Sequence, residues 1–545
     1  MEMTKKMKMA AVGAAAVAVV GGGVFAYTRL AGGDPKETVI QAFENVYTEG
    51  QTDPMEELFG LSEFAKARVS ASQNSGLMLK LDSCSEPAVN TYAGSGLRID
   101  AKNDVENNKV SANMGIIYNG MDLVNLDLYY GDDTVMAAVP ELSPKVFTLD
   151  FGEGLEERLK NSPMLGSALE QSGVDASVMA EYMELLAEQA RQTQEGQAAS
   201  FDLKALMKRY REGCKAEDDF KAALTVEKGE KASFTIDGKE QACRGYEVTV
   251  SKEAMINFLR TSSDFFLQDE VLKKDFLKRL ELSVKLSQLA GAQMEGQDFP
   301  TAQEMQEQTY EEARTEIDGM IAFLDSSLND VSMTVYVDKE ECLASVKGTT
   351  SFNSTGSEAE PVQLQFGCEL KGGAYPTQNM SAQAVLENGA ASVQIEAVKE
   401  GAYDGKELTS GFELSIENQG EIAEKWDITL DSSYNSEGGG FDVQAAAAQD
   451  GMELLGFSAQ GVVDELEKGK NIHLTLDSLD VSAMGDTGNA VLSGEYYIRP
   501  LTEEVVPLEG DTMDVLAAGE EEWNSVLMEV LFSFISLSGQ MDTGN

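Results

Sequence analysis

Trp426-Asp427-Ile428-Thr429-Leu430 alternates apolar and polar side chains with a period of two, and the same alternation runs through Ser332 to Val337, Ile472 to Leu476 and Leu492 to Ile498. A period of two sends successive side chains to opposite faces of a strand. Between these runs stand Asn388-Gly389, Asp404-Gly405 and Gly438-Gly439-Gly440 at hairpin-like intervals, the turn chemistry of short antiparallel connections. From Val331 to about Pro500 the pattern therefore predicts a long antiparallel meander with one polar and one apolar face, and the apolar face needs a cover of helices or a second sheet. One candidate cover is Trp523–Leu537, where Val526, Leu527, Val530, Leu531, Phe534 and Ile535 leave only a narrow stripe of Ser525, Glu529, Ser533 and Ser536. Such a stripe predicts a helix buried on most of its circumference.

Toward the N-terminus the periods alternate. From Ser75 to Leu149 the period is again two, as in Leu77, Leu79 and Leu81 or Val110, Ala112, Met114, Ile116 and Tyr118, and this predicts more antiparallel strands. Residues 152–213 have helical spacing, with Val178, Tyr182, Leu185 and Leu186 on one face and Gly213 as a stop. A hairpin is expected over 221–250, turning at Lys228-Gly229 and Asp237-Gly238. Helices return over 252–328. There Glu270, Asp275 and Glu281 precede Lys274, Arg279 and Lys285 at i, i+4, and Thr301-x-x-Glu304 is a capping box ahead of the stripe Ala313, Ile317, Met320, Leu324 and Leu328. Asp34-Pro35 reads as the N-cap and first residue of a short helix whose face carries Val39, Phe43, Val46 and Tyr47.

The N-terminus bears on compartment. Lys5, Lys6 and Lys8 precede an uncharged run from Met9 to Tyr27, long enough at about 1.5 Å per residue to cross a hydrocarbon core. Lysines on that flank predict a single-pass anchor with everything after Arg29 outside the cell, or a secreted chain if cleavage follows Val24-Phe25-Ala26. The expected plan is α+β: a long antiparallel meander in one or more sheets, two inserted helical blocks, an N-terminal transmembrane helix and a C-terminal apolar helix packed on the sheet. Residues 1–33 form the anchor or signal peptide, 34–330 a mixed region, and 331–545 a β-rich region ending in the helix over 523–537.

Composition excludes several classes of function. The chain of 545 residues has 42 basic against 93 acidic side chains, a formal charge of −51, and such a field repels nucleic-acid phosphates. Its single histidine, His473, removes multi-histidine metal sites and most histidine acid–base chemistry. His473 shares a strand face with Thr475 and Asp477 and is expected exposed on a wet surface. The five cysteines contain no C-x-x-C pair; outside the cell, proximity suggests Cys214 with Cys243 and Cys342 with Cys368, leaving Cys84 free, against the alternative of buried thiols.

The enzyme motifs are absent or broken. Gly456-Phe457-Ser458-Ala459-Gln460-Gly461 has one residue too many for a nucleophile elbow, and no serine is followed by lysine three positions on. Gly152-Glu153-Gly154 opens like a phosphate loop but continues into Glu156-Glu157, which suits a helix entry instead. Asp132-Asp133, Asp218-Asp219, Glu503-Glu504 and Glu520-Glu521-Glu522 read as solvated surface, with weak calcium binding the alternative. Lys204, Lys208, Arg209, Arg211, Lys273, Lys274, Lys278 and Arg279 read as an ion-paired helix face, with an internal dock for the acidic sheet or for an anionic headgroup the alternative. No catalytic, cofactor-binding or metal-ligating residue is nominated.

The lysine-flanked N-terminal segment, the Asp-Pro helix entry and the strands punctuated by Gly, Asn and Asp resemble anchored extracytoplasmic proteins of Gram-positive bacteria. More distantly, an antiparallel sheet with one apolar face under helices looks like the carrier fold of LolA and LppX type lipoproteins, which hold lipid between sheet and helices. This chain is longer and has no cysteine near the N-terminal segment, so no site residue transfers. The expectation is a non-enzymatic, membrane-anchored envelope protein that binds a protein, peptide or wall component. The alternatives are a carrier of lipid or another apolar ligand, and a hydrolase working through carboxylates.

Overall fold

Two separate runs of alternating residues end up in one sheet. The computed structural model describes residues 34–46, 52–172, 175–194, 203–291, 300–353, 361–389, 391–420, 423–483 and 488–543. The anchor reading of residues 1–33 and the placement of Tyr47 lie outside them. Helices α1 (Pro35–Glu44), α2 (Pro54–Phe59) and α3 (Leu61–Ser70) lead into strands β1 (Gln73–Cys84), β2 (Gly96–Asp104), β3 (Lys109–Tyr118), β4 (Met121–Gly131), β5 (Thr134–Ala138) and β6 (Lys145–Asp150), with the single turn α4 (Pro87–Asn90) between β1 and β2. Helices α5 (Leu155–Asn161), α6 (Leu165–Ser172), α7 (Ala176–Gln194), α8 (Leu203–Gly213) and α9 (Ala216–Ala223) follow. Then come β7 (Thr225–Lys228), β8 (Ala232–Ile236) and β9 (Lys239–Val250), and helices α10 (Lys252–Gln268), α11 (Glu270–Gly291) and α12 (Ala302–Ser327).

The long meander is β10 (Val331–Val337), β11 (Leu343–Phe352), β12 (Val362–Gly372), β13 (Asn379–Asn388), β14 (Ala391–Tyr403), β15 (Glu407–Gln419), β16 (Glu424–Asn435), β17 (Gly440–Gln449), β18 (Met452–Glu467), β19 (Asn471–Ala483) and β20 (Gly488–Pro500). A short β21 (Asp511–Asp514) and helix α13 (Glu520–Thr543) end the chain. The fold is α+β, with a 21-stranded, mostly antiparallel sheet.

The sheet begins at β7, passes through β9 and β10 to β20 in chain order, and then continues into β1 rather than ending. From β1 it runs through β6 to β21, which pairs with β6 in parallel. At the seam Gly76 of β1 lies between Tyr497 of β20 and Asp100 of β2. The Tyr497 ring lies over Gly76, where a Cβ would stand 2.3 Å from it, and its hydroxyl donates to Asp100 Oδ1 at 2.6 Å. Lys102 on β2 adds an ion pair to Glu503 at 2.8 Å, just past β20.

Helices cover the two ends of this ribbon. At the β9–β13 end, Val248, Val335, Phe352, Leu364 and Leu386 pack beneath Val39 and Phe43 of α1, Met255 and Ile256 of α10 and Ile321 and Leu324 of α12. At the other end Leu149 packs with Leu155, Leu159 and Ala180 of α5 and α7, while Phe147 stacks on Trp523 of α13 at 5.9 Å. The helical groups meet where α7 packs against α11 and Lys285 pairs with Glu181. Both ends are thus tied through one helical layer on the same face, and the sheet curls around that face.

Local signals read from the sequence are mostly found in place. Asp34 caps α1 ahead of Pro35, with Val39, Phe43 and Val46 buried, and Thr301 and Glu304 form the reciprocal capping box of α12. Asp237 and Gly238 take positive φ in the β8–β9 turn. Four expectations need correction. The stretch from Ala216 to Ala223 is helical, so the hairpin region starts at Thr225 rather than Lys221. Glu270 pairs with Lys273 at i, i+3, and Lys285 reaches across to α7 instead of back to Glu281, because interhelical contact competes with the local pair. All five cysteines are free thiols. Cys214 ends α8 beside Thr261 of α10 whereas Cys243 is buried under β8, and Cys368 sits mid-strand opposite Val346 whereas Cys342 lies just before β11.

The fourth correction concerns α13. It does lie against the sheet end, through Trp523, Val526 and Val530 on Phe147 and Met513. Leu527, Leu531, Phe532, Phe534 and Ile535 are nevertheless exposed, so it is not buried on most of its circumference. The helix sits at the edge strands, where only one layer faces it.

Burial differs sharply between covered and uncovered parts of the sheet, and this has a measurable consequence. Phe352, 2% exposed, should cost about 3–5 kcal/mol on truncation to alanine, whereas Leu430→Ala on the uncovered part should cost less than about 1 kcal/mol, read from denaturant midpoints. A second expectation concerns the seam. Burial and the Asp100 acceptor push the Tyr497 phenol up to about 12, above about 10 for a free tyrosine. The neutral hydroxyl therefore stabilises the fold fully below about pH 10, and this contribution disappears as pH rises through about 12. Tyr497→Phe should lower stability by about 1 kcal/mol at neutral pH, and the difference from wild type should shrink between those two pH values.

Candidate functional site

Strand register fixes which side chains share the helix-facing side of the sheet. Ala397, Leu414, Ile428, Ala447 and Leu455 form one row across β14 to β18, and Phe412, Leu430, Ala445, Phe457 and Val481 form the next across β15 to β19. The rows cross the seam without changing character: Leu474 faces Tyr496, Tyr496 faces Leu77, Leu77 faces Ile99, Ile99 faces Met114, and Met114 faces Leu126. The opposite face of the same strands carries Glu413, Asp427, Thr429, Asp431, Asp442 and Gln444. From β13 to β4 this gives one apolar face, at about 4.8 Å per strand roughly 50 Å long.

Beyond the two helix-covered ends this face is open among the described residues. Leu77, Leu97, Met114, Ile116, Ile428, Leu430, Leu455, Phe457, Val481 and Tyr496 are all exposed, Leu430 at 43%. An exposed apolar surface of this extent is far beyond scattered surface leucines and makes this face the candidate binding surface. Alanines at 382, 384, 397, 445, 447 and 459 alternate with large residues along it, which leaves depth between the side chains. Two charges stand on the face among the described residues: Lys399, between Met380 and Phe412, with its ammonium 5.1 Å from the Tyr375 ring, and Glu424, opposite Asn418 at the start of β16.

One long rim of the face is stoppered. Leu58 and Phe59 of α2 pack on Tyr403, Leu408, Tyr434, Phe441, Val463 and Leu474, with Phe59 and Tyr434 centroids 4.6 Å apart. Tyr403 donates to Glu57 at 2.9 Å, and Lys468 donates to the Glu57 carbonyl. Burial and the Glu57 acceptor raise the Tyr403 phenol to about 12, so the donor keeps its proton across the neutral range. Gly60, at φ +63, turns the chain from α2 into α3 directly against Lys468, where a Cβ would meet the lysine stem at 2.7 Å. The exposed residues Leu97, Ile116, Ile428, Leu455 and Val481 lie toward the opposite rim. Among the described residues the trough is stoppered over β14 to β19 on one side and uncovered on the other.

Sequence reading missed α2 and its role, although Asp53-Pro54 repeats the Asp-Pro entry of α1 and Asp53 accepts from Met55 and Glu56 N–H in the same way. His473 is not exposed as expected: its side chain is 19% exposed on the polar face, with Nδ1 3.1 Å from Asp464 and Nε2 3.5 Å from Glu495. Cross-strand neighbours on β18 and β20 enclose it, which a single strand cannot reveal. Gly154, at φ +80, precedes α5 as a helix entry, and Gly456 to Gly461 lie inside β18.

The acidic clusters are dispersed. Asp132-Asp133 makes the β4–β5 turn, Asp218-Asp219 and Glu520-Glu521-Glu522 occupy first turns of helices, and Glu503 and Glu504 pair with Lys102 and Lys109. Among the described residues no three His, Cys, Asp or Glu side chains converge as metal ligands. In the basic stretch Arg209 grips Asp269 through two bonds of 2.9 Å, and this holds the Asp269 carboxyl below the usual range.

A second concavity of about 720 Å³ opens on the polar face between the β8–β9 hairpin and strands β11 to β14. Its lysines are paired, Lys347 with Glu369 at 3.0 Å and Lys371 with Glu400 at 3.8 Å, and Lys347 lies over Phe234. No described helix is long and apolar enough to cross a membrane. No protein-family model matches the sequence, and no curated protein matches it.

An open apolar trough should bind a solvatochromic dye in the native state. Wild-type protein should enhance the fluorescence of an anilinonaphthalene probe without denaturant, and Leu430→Glu with Phe457→Glu should remove most of that signal while leaving circular dichroism unchanged. With only two tryptophans in the chain, Trp523→Phe makes Trp426, on the apolar face, the sole reporter of occupancy.

Proposed function

We propose that this chain is a non-enzymatic, membrane-anchored extracytoplasmic protein of the bacterial envelope, and that it carries an acyl-chain lipid along the apolar face of its sheet. The observation that carries the reading is the uncovered apolar face running from β13 across the β20–β1 seam to β4. A protein or peptide partner would be held by hydrogen bonds and a polar rim around an apolar centre; here the rows offer almost nothing polar over many strands. A hydrocarbon chain needs only apolar contact and gains about 0.8 kcal/mol per buried CH₂.

Small and large side chains in alternation leave grooves in which such a chain can lie, and the stopper α2 covers one rim over β14 to β19. Lys399 on the face and Arg68 of α3 beside Tyr496 are cations that suit the phosphate of a zwitterionic headgroup. The N-terminal run Met9–Tyr27 supports anchorage, which would keep the carrier beside its source of lipid. Strand register places Glu424 on this face opposite Asn418, and among the described residues no second carboxylate stands beside it there, so a carboxylate hydrolase finds no support.

Protein purified under non-denaturing conditions should show, by native mass spectrometry, a mass excess that organic extraction removes and that is identified as lipid. Leu430→Glu with Phe457→Glu should abolish the excess. A clean polypeptide mass for the folded wild-type protein, together with no uptake of added lipid, would reject the carrier reading.

A further inference from the structure

Two turns on the open rim of the sheet carry apolar residues that turn chemistry does not require. On the stoppered rim the turns read Glu106-Asn107-Asn108, Asp132-Asp133, Asp404-Gly405-Lys406, Ser436-Glu437-Gly438-Gly439 and Lys468-Gly469-Lys470. These five are polar or charged, whereas the β12–β13 connection at the same rim carries Tyr375 and Pro376. On the open rim the β3–β4 turn is Asn119-Gly120 followed by Met121, and the β17–β18 turn is Asp450-Gly451 followed by Met452. Both turns have positive φ at the two central residues. The same geometry at Asp132-Asp133 is followed by Thr134, so the methionines are not there to make the turn. They project into solvent, Met121 71% and Met452 62% exposed. Between them in the sheet, the β1–β2 connection presents Val89 and Tyr92, both exposed.

We propose that this open rim is a membrane-docking edge that seats on an uncharged phospholipid surface and lets acyl chains pass from the bilayer into the trough; the proposal rests on the carrier reading. The three tips stand on turns β17–β18, β1–β2 and β3–β4, spread over roughly 30 Å at the spacing of strands. Single apolar or aromatic side chains set apart in a row suit a planar, fluid surface into which each tip inserts alone. A protein partner would need them gathered into one patch. The trough opens on the same rim, through Leu97, Ile116 and Leu455 directly behind the tips. Charge narrows the surface further. Glu86, Asp122, Asp450 and Glu453 flank the tips in a chain of net −51, which disfavours anionic headgroups and leaves zwitterionic or neutral ones.

Methionine oxidation reads this contact in the full chain without a label. Peroxide converts exposed methionine to the sulfoxide, at rates that follow exposure. In the presence of phosphatidylcholine vesicles, peptide mass spectrometry should find oxidation of Met121 and Met452 slowed at least about fivefold, while the exposed Met55 of α2, on the stoppered rim, keeps its rate. The variant Leu430→Glu with Phe457→Glu should retain this protection although its trough no longer loads lipid, so a failed carrier and a failed docking edge give different results. Unchanged Met121 and Met452 rates with vesicles would overturn the proposal. So would equal protection of Met55, protection that appears only with phosphatidylglycerol vesicles, or protection that grows with protein concentration in the absence of lipid, the last meaning contact between copies of the chain.

Discussion

The structure depends on one lateral pairing, β20 with β1. Without it the chain would hold two separate apolar sheets, each with two raw edges. With it the last strand of the long meander becomes the neighbour of the first strand of the short one, more than 400 positions away in sequence, and eleven residue pairs hold register across the junction. Gly76 makes the approach possible by leaving room for the Tyr497 ring, which then reaches Asp100 on the next strand. A side chain at residue 76 would push Tyr497 off the sheet and break the bond that ties three strands together.

Continuity of the face follows from the seam, and curvature from the helices. Because β6 leads into α5 to α9 and these lead to β7 at the far end of the sheet, the chain itself spans from one sheet end to the other. Both ends bury the same face under helices that touch one another. A twisted antiparallel sheet tied this way is concave toward its apolar side. The covered ends supply the stable cores, while the middle of the sheet is held chiefly by its ladder and keeps an apolar surface in contact with solvent.

Much of this was legible in the sequence, and the limits have physical causes. Period-two runs located the strands because one face is apolar and the other acidic along their whole length, as in Trp426 to Leu430. Caps located helices because Asp34 and Thr301 each satisfy the first free N–H groups of a helix, a signal that Asp53 also carries and that went unread ahead of the six-residue α2. What a single strand cannot carry is the identity of its neighbour: the seam, the enclosure of His473 between Asp464 and Glu495, and the separation of Cys214 from Cys243 all depend on pairing at long range. The α13 misreading has a related cause. An apolar helix implies a partner surface, but nothing in its own residues says whether the protein supplies that surface; here the protein supplies only the part facing Phe147 and Met513.

A carrier site stands among the sequence-based alternatives, and the proposal of one in this trough rests on exposure rather than on any motif. Ten exposed apolar strand residues on one face, against a carboxylate-rich opposite face, cannot be inferred from composition alone. The measurement that tests this account most directly is a map of adducts from a photoreactive palmitate analogue, taken by peptide mass spectrometry on the folded protein. The account predicts adducts at Leu77, Leu97, Ile428, Leu430, Phe457 and Val481, and none at the intervening Asp427, Thr429 and Asp431. Adducts on both strand faces alike, or confined to α13, would contradict it.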